Sequence, residues 1–274
     1  LYNNSIINDE LSSNSIHLFS NNKGLLSINN DDKRPDDLEQ QSIYINDGGD
    51  GIFSSGDYIL FYLNGSDRVD WNGKNFYHTK HVYSDSAFCF LNINPSRNSK
   101  LLDSVNFLSE IFNETILKFR DFKYVNDDKL NLLKSGSQWF GDVFDITNVY
   151  NYSFSFNNCI DSSHVKLKLM SKSSYLPAYF YPSIFNENRT VTISSSGSSY
   201  YADAGKIAID EFDVLNDPNL PFELRLEYFN NGSPSSKGYL DYIEINANRE
   251  LIVDNQQFNF HIDSPNNLNS YSKI

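Results

Sequence analysis

The segment HVKLKLM, His164 to Met170, decides the fold. Val165, Leu167 and Leu169 alternate with Lys166 and Lys168, so a strand built from it has one apolar and one charged face. A helix would scatter residues spaced by two around its axis. The same period recurs outward along the chain. In NYSFSF, Tyr152, Phe154 and Phe156 share a face if Ser153 and Ser155 point away. In PFELRLEY, Phe222, Leu224, Leu226 and Tyr228 oppose Glu223, Arg225 and Glu227. RTVTISS, GKIAIDEF and YLDYIEINA continue the series, and turn signals such as NNGSPSSKG separate its members. Short alternating strands between such turns predict a jelly-roll-like β-sandwich over residues 139–254.

Composition agrees. The chain has 274 residues, 39% of them apolar and 15% aromatic, with 18 Tyr and 21 Phe. Aromatic side chains suit pleated surfaces, whereas the abundant Asn, Ser and Asp favour turns over helix interiors. The length suits one large or two moderate domains. A first β module is expected over residues 1–95, from NSIHLFSNNKGLLSI (a strand, an Asn-Asn-Lys-Gly turn and a second short strand), QSIYI, DYILFYL and HTKHVYSDSAFCFLNI. The last of these is apolar on both faces (Ala87, Cys89, Leu91 and Ile93 against Phe88 and Phe90), which predicts a central strand covered on two sides. Residues 96–138 are expected to connect the modules. Within them SVNFLSEIFNETILKF fits a helix or a strand, and NDDKLNLLKSG predicts one short helix over 127–134. There Asn126 is the cap, Asp127 and Asp128 lie in the first turn, Lys134 in the last, and Gly136 closes it. The expectation is therefore an all-β protein of two β-sandwich-like modules with one short helix between them. Residues 255–274 read as the start of a linker, and the opening at Leu1 without an initiator Met reads as a piece of a longer product.

Charge narrows the function classes. The net charge is −13 and the isoelectric point about 4.7. That field repels nucleic-acid backbones and anionic membrane surfaces. No run of 18 apolar residues suggests a membrane-spanning helix. The two cysteines, Cys89 and Cys159, make no metal motif, and an oxidising compartment would permit their pairing.

Few residues promise chemistry. Cys159 sits in a turn five positions before His164, and a thiol beside an imidazole is the kernel of a cysteine peptidase. No orienting third group or oxyanion donor accompanies them, so the plainer reading is a turn cysteine and a strand-entry histidine. The stretch INDGGDGIFSSGDYILFY, Ile45 to Tyr62, can be scored as a calcium loop with Asn46, Asp50 and Asp57 as ligands. The match is partial: Gly48 stands where a ligand is expected, and Asp57 where a Glu is usual. The competing reading is a hairpin loop whose Asp-Gly pairs turn the chain. Tyr200 and Tyr201, in SSGSSYYADAG, are candidate sugar-stacking residues if the chain is a carbohydrate-binding or adhesin-like extracellular module.

Several stretches taken in order carry a resemblance. RPDDLEQQSIYINDGGDGIFSSGDYILFY contributes Arg34 to Leu38, Asp50 to Phe53 and Tyr58 to Tyr62, followed by Trp71. KLNLLKSGSQWFGDVFD contributes Asn131, Leu132, Ser135, Gly136, Trp139, Phe140, Gly141 and Asp142. SPSSKGYLDYIEINANREL contributes Leu240 to Ile243, Arg249 and Leu251. Together they resemble the N-terminal region of the type IX secretion system sortases of Bacteroidetes, the PorU family of gingipain-type cysteine peptidases. The resemblance favours a strand at 114–122. It implies a cell-surface parent, on the extracellular face of the outer membrane, that removes C-terminal signals from secreted cargo and attaches the cargo to lipopolysaccharide. It implies two kinds of partner besides cargo: a downstream peptidase domain and the outer-membrane barrel PorV. It places the catalytic His and Cys beyond this region, so no catalytic residue is assigned in this chain and no cofactor is required, calcium aside.

Overall fold

The computed structural model describes residues 11–21, 23–27, 29–103, 114–199, 203–252 and the backbone of 272–273. It is built from strands, joined by one three-residue 3-10 turn at Ser13–Ser15. The chain forms two compact units: residues 1–70 with 78–109, and residues 71–77 with 110–274.

The second unit is a β-sandwich made by the alternating segments. In the first unit β1 to β9 are Leu11–Ser12, Ile16–Ser20, Glu39–Gln41, Ile43–Asn46, Ile52–Phe53, Tyr58–Phe61, Arg68–Trp71, Phe76–Thr79 and Cys89–Ile93; β7 and β8 end in residues of the second unit. β10 to β15 are Glu114–Thr115, Lys118–Val125, Val143–Phe144, Val149–Ser153, Cys159–Lys172 and Ala178–Ile184. β16 to β20 are Glu187–Asn188, Val191–Ile193, Lys206–Leu215, Glu223–Phe229 and Lys237–Glu250. One antiparallel sheet runs β11-β20-β14-β18, with β12 also on β20. The other runs β13-β19-β15-β16, with β17 also on β15. Val165, Leu167 and Leu169 of β14 are fully buried, together with Ile243, Ile245 and Ala247 of β20. They share one core with Leu224, Leu226 and Tyr228 of β19 and Phe180 and Ile184 of β15. Each such side chain contributes roughly 1.5–3 kcal/mol on burial, against the entropy of ordering the strands.

The two longest strands are bent where they meet. The β14–β20 register shifts between Lys168 and Leu169, which pair with Tyr242 and Leu240. Asp241 is the extra residue, and its carboxylate accepts from Lys168 Nζ at 2.9 Å. A bulge of this kind bends the strand and lets the sheet follow the curve of the core.

Three expectations need correction. Residues 127–134 are not helical. Phe140 takes the backbone of Lys129 and Leu130 in a short antiparallel bridge, so those N–H groups are not available to a helix. Asn131 then closes a turn: its Oδ1 accepts from the N–H groups of Leu133 and Ser135, and its Nδ2 donates to the carbonyls of Ser135 and Gly136. Leu130 and Leu132 are used instead to pack on Phe140, Met170 and Tyr239. Second, β9 is an edge strand. The order in its sheet is β3-β2-β9, and Phe88 and Phe90 are 70% and 55% exposed. An apolar residue on each face states that a strand can be covered twice, not that anything covers it. Third, Leu25–Ser27 form no strand. Of the segment expected as a connection, Lys118–Val125 is a strand of the sandwich, paired along its whole length with β20.

The first unit has a smaller core of Ile16, Leu18, Ile43 and Phe53. β4 pairs with β6 and β1 with β5, beside the β3-β2-β9 sheet.

Candidate functional site

The aspartate-rich loop of the first unit folds by local bonding. Asp47 Oδ1 accepts from Gly49 N at 3.0 Å, and Asp50 Oδ1 accepts from Ile52 N at 2.8 Å. Asp57 Oδ2 accepts from Ser54 N at 2.6 Å and from Ser54 Oγ at 3.1 Å. Asn46 Nδ2 donates to the Tyr58 hydroxyl at 2.9 Å. Gly48, Gly49, Gly51 and Gly56 all have φ between 70° and 100°, a region costly for other residues. The loop thereby delivers Phe53, 2% exposed, into the core. Among the described residues no group of three or more His, Cys, Asp or Glu is gathered that could hold a metal ion. Asn46, Asp50 and Asp57 are each committed to their own turn.

Next to this loop lies an apolar recess of about 520 Å³. β6 supplies Tyr58 and Phe61, β9 supplies Cys89 and Leu91, and Leu18 and Phe53 also line it. Phe61 of its lining is exposed; Phe88 and Phe90, also exposed, lie on the other face of β9 and line a second recess with Ser20 and Leu38. Exposed apolar surface of this sort marks an interaction site more often than a reaction site. The recess holds one thiol, Cys89, and one carboxylate, Asp57, with no base beside the thiol among its lining residues.

Cys159 and His164 do not form a catalytic pair. His164 Nδ1 lies 2.8 Å from Asp213 Oδ1, on β18. Cys159 pairs in register with Arg249, on β20, the strand on the opposite side of β14. Its Sγ points to the Phe156 carbonyl at 3.9 Å. Burial pushes the Cys159 thiol up to about 11, outweighing the nearby Arg249. A thiol so protonated is a poor nucleophile at neutral pH. Both cysteines are free thiols. Tyr200 and Tyr201 lie outside the described residues, as does most of the expected linker, 255–274.

The exposed apolar strand faces were the feature the sequence concealed. An apolar residue at an edge and one in a core have the same letter, and the only signal was apolarity on both faces of Ala87–Ile93.

The fold defines a class: an all-β protein of two compact units, the second a β-sandwich. No protein-family model matches the chain, and no curated protein matches it. Among solved structures, dimeric latent PorU from Porphyromonas gingivalis is similar at a TM-score of 0.66 and 15% identity, over 88% of this chain and 23% of that one. The chain thus has a PorU-like fold and spans about a quarter of that protein's length. The Cry4Aa toxin from Bacillus thuringiensis aligns at a TM-score of 0.30 and 9% identity, over 87% of this chain and 52% of the toxin. The infectious bursal disease virus Gx strain structure aligns at 0.23 and 9% identity, over 88% of this chain and 59% of that one. The last two scores are too low to bear on the fold.

Proposed function

We propose that this chain is a non-catalytic N-terminal portion of a type IX secretion sortase and that it scaffolds or positions the parent's peptidase domain. The parent in this reading acts at the extracellular face of the outer membrane, with the barrel PorV and secreted cargo as partners. It trims cargo C-terminal signals and attaches cargo to lipopolysaccharide. The observation that carries the reading is the PorU-like fold over 88% of the chain, beside the sequence stretches that resemble the family. Two further observations support it. Cys159 and His164 are turned to different strands, which fits a portion whose chemistry lies elsewhere. Phe88 and Phe90, exposed on one face of β9, offer an apolar seat for the peptidase domain.

The test is genetic. In the source organism, Phe88→Asp with Phe90→Asp should leave the protein present but its cargo untrimmed, seen as retained C-terminal signals on immunoblots. Deletion of the whole coding segment should do the same. Normal cargo maturation in the deletion strain overturns the reading.

A further inference from the structure

Strand β9, Cys89–Ile93, lacks the features that keep an exposed sheet edge from pairing. Phe88 to Ile93 contain no charged residue and no proline. The register with β2 runs from Ser20–Cys89 to Ile16–Ile93 without a bulge. The other edge of β9 meets no strand among the described residues. Alternate residues therefore turn their backbone N–H and C=O groups outward with no strand to receive them.

The apolar recess of about 520 Å³ adjoins this strand. Cys89 and Leu91 reach it from one face of β9, and the buried Leu18, paired with Leu91, and Phe53 lie deeper. Tyr58 and Phe61 reach it from β6, which pairs with β4 alone. Asp57 is the one charged group of the lining.

We propose that β9 receives an extended peptide as an added strand, apolar at alternate residues and basic at one end. Outward backbone groups call for a partner with a backbone of its own, which a lipid or a small apolar molecule lacks. A peptide paired with β9 turns every second side chain to the Cys89 and Leu91 side, where the recess can take it. Asp57 and the chain's net charge of −13 select a cation on that peptide. The added strand gives β9 a neighbour on each side, the position that its two apolar faces imply. The inference goes beyond the sortase reading and does not rest on it; β9 and the recess belong to the first unit alone.

Fluorescence polarisation of the labelled peptide Lys-Val-Thr-Val-Thr-Val with the full chain tests it. Saturable binding is expected, weaker when Glu replaces Lys. Two further peptides are N-methylated at the valines or at the threonines, which removes the backbone donors of one edge or the other. At least one of them should bind about tenfold more weakly or worse, the order for losing two hydrogen bonds. Cys89→Arg, at an exposed position, should weaken binding similarly and leave the urea midpoint unchanged. Saturating peptide should slow the reaction of Cys89 with a chromogenic disulfide reagent. Polarisation unchanged by the parent peptide overturns the proposal. Binding that both N-methylated peptides retain, or that leaves the Cys89 rate unaltered, does so as well. A chain that sediments as a dimer with Cys89 already protected assigns the edge to a second copy and overturns it too.

Discussion

Asn246 closes a two-point clamp on Phe76, 170 residues away in the chain. Its Oδ1 accepts from Phe76 N at 2.7 Å, and its Nδ2 donates to Phe76 O at 3.0 Å. The amide thus copies one rung of a β-ladder, from a side chain on β20 to the segment Trp71–Tyr77 of the same unit. Asn246 is 2% exposed, and the Phe76 ring packs on Phe122, 5.9 Å away. Asn246→Leu removes both bonds from a buried position, at about 1–3 kcal/mol in all. Urea unfolding should show a loss within that range.

Gly238 is needed where two rings close over the backbone. A Cβ there would lie 2.6 Å from Phe180 Cζ and 2.7 Å from Tyr228 Cδ2. Both rings belong to the sandwich core, and Tyr228 is further held by Ser171 at 2.9 Å and Ser236 at 2.5 Å. Gly238→Ala should destabilise by about 1–3 kcal/mol through overpacking, read as a lower thermal midpoint.

The thiols should react unequally. Cys89 is exposed, while burial holds the Cys159 thiol up to about 11. At pH 8 a chromogenic disulfide reagent should titrate Cys89 promptly and Cys159 slowly, and the rate at Cys159 should climb as pH approaches 11. No thiol-dependent proteolysis is expected of the chain. Peptide cleavage abolished by Cys159→Ala would contradict the geometry described above.

High pH should unfold the sandwich. Burial raises Tyr152, Tyr228, Tyr239 and Tyr242 above their ordinary value near 10.0, most strongly at Tyr152, where the Asp142 carboxylate 2.9 Å away adds to it. Below pH 10 these groups are neutral in both folded and unfolded chains, and their contribution is complete. Above pH 10 the unfolded chain releases protons that the folded one retains, so stability falls as pH rises. The urea midpoint should drop steadily above pH 10, and less steeply in Tyr152→Phe.

Calcium should leave the thermal midpoint unchanged, since Asp50 and Asp57 already accept from backbone N–H groups of their own loop. Asp57→Ala should cost on the order of 0.5–2 kcal/mol, the range for removing a side-chain cap of backbone donors. A calcium-dependent rise in midpoint would return Asn46, Asp50 and Asp57 to the role of ligands.

The amino-acid sequence by itself determined the cleanly alternating strands of the sandwich and which side of β14 and β19 is wet. Val165, Leu167 and Leu169, and Phe222, Leu224, Leu226 and Tyr228, are buried as their alternation requires, because the pleat turns successive side chains to opposite faces whatever the partner strand. What tertiary structure alone decided is who stands next to whom. The β11-β20-β14-β18 order and the pairing of His164 with Asp213 join residues dozens of positions apart. A local period carries no information about them. The same competition undid the helix at 127–134, where a distant carbonyl, that of Phe140, took the hydrogen bonds that local propensity would have spent on a turn of helix.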